Sequence, residues 1–145
     1  MKTLSKIDPA NNQEVFDFVI EKLYRQGKQS KNFDDEGASQ CVYRSDDGSK
    51  CAVGQLIPYD LYTSRIESIG AYTLANMDTE NKKLKKISDY MKKFNTDLLT
   101  KLQTLHDINF NNIPEFLAHA ETLQFPVNKD IVHKLRVEYT QSQKG

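Results

Sequence analysis

Apolar residues recur at helical spacing along most of the chain. Val15, Phe16, Val19, Ile20, Leu23 and Tyr24 line one face of a helix predicted over Asn12–Gln26. Asn11 and Glu14 have capping-box spacing, Asp8-Pro9 offers an alternative start, and Gly27 is a C-terminal stop. Further on, Leu84, Ile87, Met91, Phe94, Leu98, Leu102 and Leu105 continue a single stripe at steps of three and four. That stripe predicts one long helix over residues 79–106, about 40 Å at ~1.5 Å per residue, as scaffold for the other elements. A short helix is expected over 60–69, closed by Gly70, and another from Pro114 to about Leu123. After Asn128, Ile131, Val132, Leu135 and Tyr139 fit a helix, while the alternation Leu135, Val137, Tyr139 also permits a strand. Residues 71–78 show no clear pattern.

Two short β-prone runs, 40–44 and 51–57, flank Asp46-Asp47-Gly48, the strongest hairpin signal in the chain. Residues 28–38 are polar and read as a loop. A lone hairpin is marginal in water, so helices must cover one of its faces. The pattern as a whole predicts an α+β fold. It is a helix-rich single domain over 1–145, with about five helices and one small β-hairpin, and ends that fray at 1–8 and 140–145.

Composition narrows the function classes. A length of 145 residues with 38% hydrophobic and 28% charged residues suits one globular domain. No apolar run is long enough to span a bilayer and the first residues lack a hydrophobic leader, so no membrane partner and a cytoplasmic location are expected. Twenty basic and twenty acidic residues cancel, which removes a bulk electrostatic argument for nucleic acid. The balance hides a basic segment, with Lys82, Lys83, Lys85, Lys86, Lys92, Lys93 and Lys101 off the apolar stripe. Those lysines could contact phosphates or simply be solvated. The stretch between Arg65 and Arg136 holds no other arginine, and no aromatic interleaving there suggests base stacking, so nucleic acid is not an expected partner.

Candidate chemistry gathers at the hairpin and at His106-Asp107. A three-residue turn pairs Cys51 with Tyr43 and sets Cys41 and Cys51 diagonally on one face. A two-residue turn pairs Cys51 with Arg44 and sets them on opposite faces. Neither register opposes the two cysteines directly, so both are expected as free thiols. They read either as small core side chains or, for Cys51 with His106 as base and Asp107 orienting it, as a hydrolase centre. The scattered His106, His119 and His133 match no standard zinc spacing with the cysteines, so no metal and no cofactor are expected. Arg44 offers a planar fork for a carboxylate or phosphate, or a salt bridge to Asp60 or Glu67. Gly54 marks a bulge or a close backbone approach.

The string Gln26-Gly27-Lys28-Gln29-Ser30, then Cys41-x-Tyr43-Arg44, Asp47-Gly48-x-x-Cys51-Ala52-Val53-Gly54-x-Leu56-Ile57-Pro58 and Leu61-Tyr62, followed by Leu102-Gln103-x-x-His106-Asp107, resembles a family of small uncharacterised bacteriophage and bacterial proteins. Its members often carry a tryptophan after the last motif; this chain has none, and Phe116 takes the place. The resemblance covers patches from Val15 to Asp107 and transfers no activity. It implies that the hairpin and His106-Asp107 form one unit that meets in space, with His106 or Asp107 pairing with Arg44 or a hairpin amide.

The expected function is that of a phage-type accessory protein acting by binding, an inhibitor of a host protein in antiviral defence. Its binding residues are expected at Tyr43, Arg44, Asp47, Gly54, His106 and Asp107. One alternative is capture of a phosphorylated metabolite or signalling nucleotide. The other is the Cys51/His106/Asp107 hydrolase.

Overall fold

The computed structural model describes residues 3–144, which form a helix-rich α+β domain. Its elements in order are α1 (Asn12–Gln26), β1 (Lys31–Phe33), β2 (Ser39–Cys41), α2 (Ala71–Ala75), α3 (Lys82–Met91), α4 (Thr96–Asp107), α5 (Ile113–Glu121) and α6 (Asp130–Ser142). Single 3-10 turns occupy Leu4–Lys6, Gly54–Leu56 and Ser64–Ile66.

The first helix forms where its apolar period predicts. The Asn11 side chain accepts the Glu14 N–H at 3.1 Å, and Gly27 ends the helix in the left-handed region at φ 75°. Val15, Phe16, Phe18, Val19, Ile20 and Leu23 are all buried. This face packs against α4, α6 and the 3-10 turn at Gly54–Leu56, which places α1 at the centre of the core.

The predicted long helix is two helices. The chain leaves α3 after Met91 and restarts at Asn95, whose side chain caps α4 by accepting the Leu98 N–H at 3.1 Å. Asparagine competes with the helix for its own backbone, so it starts a helix better than it continues one. The stripe survives the break: Ile87, Met91, Phe94, Leu98, Leu102 and Leu105 are all buried, with Phe94 in the connection. Asn95→Ala should therefore cost about 1 kcal/mol, read by thermal melting. An unchanged melting temperature would show that the cap carries no weight.

The strands also differ from expectation. The ribbon is β1 against β2, antiparallel, with Lys31 opposite Cys41, so it begins in the segment read as a loop. Asp34 builds its turn by accepting the Glu36 and Ala38 N–H groups, both at 2.9 Å, and Gly37 takes φ 85°. Around Asp46–Gly48 the three-residue register holds, with Ser45 N–H donating to the Ser49 carbonyl and Arg44 bridging Lys50. Pairing stops after Cys51 because the chain coils into the Gly54–Leu56 turn instead of extending. Residues 60–69 form turns and one 3-10 segment rather than a helix, α2 fills part of the stretch without pattern, and the C-terminal segment is helix.

Among the described residues, no helix is long and apolar enough to cross a membrane. Both cysteines are free thiols. Cys51 is fully buried and burial pushes its thiol up to about 12, whereas Cys41 is half-buried. A thiol reagent should thus modify Cys41 in the native protein and Cys51 only after unfolding. Two thiols reacting together in native protein would contradict that packing.

Candidate functional site

The end of α4, the chain leaving α1 and the turn at residues 43–54 meet in one polar network. His106 is its centre. Its ring is fully buried, with Phe110 edge-on at 6.5 Å between centroids and Phe116 stacked beneath Phe110 at 4.3 Å. The Ser30 N–H donates to His106 Nε2 at 2.8 Å, and Nδ1 lies 2.7 Å from Asp107 Oδ1. A carboxylate accepts and a backbone N–H donates, so these partners assign the neutral tautomer with the proton on Nδ1.

Four amides and hydroxyls complete the network. Gln29 donates from Nε2 to the His106 and Asp107 carbonyls, at 2.8 and 3.1 Å, answering carbonyls that the end of α4 leaves open. Gln103 donates to Asp107 Oδ1 at 3.0 Å and accepts the Val53 N–H at 3.1 Å, which couples α4 to the Cys51–Gly54 stretch. Gln26 grips Lys50 from both sides, accepting its N–H and donating to its carbonyl, each at 2.9 Å. Ser30 donates its hydroxyl to the Ser49 carbonyl at 3.0 Å. The hairpin and His106-Asp107 therefore do meet. The direct partner of His106 is the Ser30 amide, and Arg44 bonds to neither His106 nor Asp107.

The arrangement opposes the hydrolase reading. His106 has one lone pair to offer as a base, and the Ser30 N–H occupies it. Cys51 accepts the Gly54 N–H at 3.3 Å, and its raised thiol is the reverse of an activated nucleophile. The cysteine beside the pair is Cys41, not Cys51. Ligand atoms of Cys41, His106 and Asp107 lie within 4.8 Å of one another, the one such trio among the described residues. Burial and then the Asp107 charge push the Cys41 thiol up. A cation at Nδ1 would displace the proton that Asp107 holds while Nε2 still accepts from Ser30, which requires an imidazolate. The donor set does not fit a metal.

Tyr43 is buried and holds the turn down. Its N–H donates to Glu67 Oε1 at 2.9 Å and its hydroxyl donates to the Ile69 carbonyl, while burial raises the hydroxyl well above its usual range. Asp47 locks the tip, accepting the Ser49 N–H at 2.9 Å and the Ser45 hydroxyl, and pairing with Lys28 at 2.6 Å. The Lys28 ammonium, ahead of the two serines, holds its carboxyl below the usual range. At Gly54 a Cβ would lie 2.0 Å from the Tyr43 carbonyl oxygen, so the close approach is real.

Arg44 stands apart from this scaffold. Its guanidinium stacks 4.4 Å from the Tyr62 centroid and 5.4 Å from Tyr59, and one Nη donates to the Ile57 carbonyl at 3.3 Å. It makes no ion pair among the described residues. Glu67 accepts instead from the backbone N–H groups of Tyr43 and Arg44 and from the Tyr62 hydroxyl. The expected salt bridge to Asp60 or Glu67 is therefore absent, because backbone donors take Glu67 first. Tyr59 and Lys50 join this face without a sequence pattern to announce them. Gln26, Gln29, Ser30 and Gln103 sat in the motif strings, yet nothing in their spacing disclosed the network.

Comparison with known protein families, curated proteins and solved structures gives no match. The functional reading therefore rests on these side chains.

Proposed function

We propose that this chain acts by binding a partner protein, and that the face bearing Arg44, Tyr59 and Tyr62 is its contact surface. The phage resemblance supports a host protein of antiviral defence as that partner. The carrying observation is Tyr59. It is 87% exposed beside a guanidinium that makes no ion pair among the described residues, while the His106 ring and the Cys51 thiol are consumed in holding the fold. Arginine and tyrosine are the side chains on which interface energies concentrate, since each adds large contact area and directional donors.

Tagged wild-type, Arg44→Gln and Tyr59→Ala proteins, each verified as folded, should be compared for the proteins they retain from a host lysate. The reading predicts a species held by wild type and lost from both variants. An identical set on all three would overturn it.

A further inference from the structure

We propose that Arg44 and Lys50 together seat a phosphate-monoester group, with the Tyr59 ring as the outer wall of the seat. This rests on the reading that the Arg44 face binds, and it names the group recognised there.

Three observations carry it. First, Arg44 and Lys50 are cross-strand partners in the one antiparallel bridge of the turn. Like charges placed directly opposite destabilise a ribbon, and a carboxylate would normally be expected between them. None forms an ion pair with either side chain among the described residues. Lys28, by contrast, is matched to Asp47 at the tip of the same turn. Second, the charge is concentrated. Burial first, then Arg44 and Lys22, push the Lys50 ammonium down, so three cations share one neighbourhood. The bordering acids are Glu67, whose oxygens are committed to Tyr43, Arg44 and Tyr62, and Asp46, whose charge reaches the Tyr62 hydroxyl. Third, Arg44 Nε is buried and has no hydrogen-bond partner, which is costly for a guanidinium donor. The Tyr62 ring fixes one face of the guanidinium, and Tyr59 lies over it from the solvent side.

A phosphate dianion suits this pair better than a single carboxylate. Its oxygens match the guanidinium fork, lysine supplies a second point charge, and its charge of roughly −1.5 to −2 answers both cations. The group could arrive on a small molecule or on a phosphorylated side chain of the partner. The two share the same chemistry here.

The test titrates the full chain with phenyl phosphate, a phosphotyrosine peptide and benzoate, followed by backbone amide shifts. Both phosphates should bind saturably, with the shifts centred on residues 43–50 and 59–62. Arg44→Gln and Lys50→Gln should each weaken them by about tenfold or more, and Lys93→Gln should not. Lys50→Gln changes only a half-exposed side chain, so it serves if Arg44→Gln fails to fold. A peptide about tenfold tighter than phenyl phosphate assigns the group to a partner protein; equal binding assigns it to a small ligand. No saturable binding below about 10 mM, benzoate binding as tightly, or variants that bind like wild type would overturn the seat. If the phosphates fail while Arg44→Gln still loses its captured partner, the seat falls and the binding face stands. If the phosphates bind while Arg44→Gln captures what wild type captures, the partner-protein reading falls and the seat stands.

Discussion

Gly54→Ala is expected to cost more than about 3 kcal/mol, the upper range for forcing an extra methyl into a packed core. A Cβ at this position would lie 2.0 Å from the Tyr43 carbonyl oxygen and 2.9 Å from its carbon. Both are backbone atoms, so no flexible side-chain end can yield. The oxygen already accepts the Cys51 N–H at 3.2 Å, and Tyr43 is tethered on its other side by Glu67 and Ile69. Cys51, Ala52, Val53 and Leu56 are buried around the contact, so the turn cannot shift outward without exposing them. The cause is space rather than backbone conformation, because Gly54 does not occupy the left-handed region. Thermal unfolding should show a fall of about ten degrees or more for a domain this size. A melting temperature matching wild type would mean that the close approach of residues 43 and 54 is not present in solution.

His106→Ala is expected to lower stability by roughly 3 kcal/mol or more, combining the cavity with the stranded Ser30 amide. Ser30 is fully buried, so its amide is left in the interior without the acceptor it now uses. Asp107 would keep Gln103 but lose its nearest donor, and Phe110 would lose the ring it meets edge-on. Because Gln29 and Ser30 hang on the end of α4 through this residue and its neighbour, the chain between α1 and β1 should loosen as well. Chemical denaturation and amide exchange at residues 28–31 would read both effects. A histidine kept for catalysis alone would leave the denaturation midpoint unchanged.

Periodic elements were legible in the sequence because their signal is repeated. The first helix, its Asn11 cap and its Gly27 stop follow directly from residue order, and the stripe from Ile87 to Leu105 names true core positions. The same repetition hid the break at residues 92–95. A stripe at steps of three and four continues through a short connection when Phe94 stays inward, and only the capping chemistry of Asn95 marks the restart. β1 was illegible because three residues, Lys31–Phe33, are too few to show alternation, and the turn that makes them a strand is built by one Asp34 carboxylate. In the site, residue types identified His106, Asp107, Tyr43 and Gly54 as special but not what they do. That depends on which donor reaches which lone pair. The Ser30 amide that decides the role of His106 lies 76 positions away in sequence. Arg44 was legible as an isolated fork, but its lack of an acid partner emerges only once Glu67 is seen bound by backbone amides.

The central claim is that His106 pins the fold, with its one lone pair spent on Ser30. Long-range nitrogen–proton correlation of the His106 ring at neutral pH tests this most directly. The account predicts a neutral imidazole protonated at Nδ1, with Nε2 unprotonated and coupled to the Ser30 amide. A ring protonated at Nε2, or one whose Nε2 signal shifts when zinc is added, would contradict it.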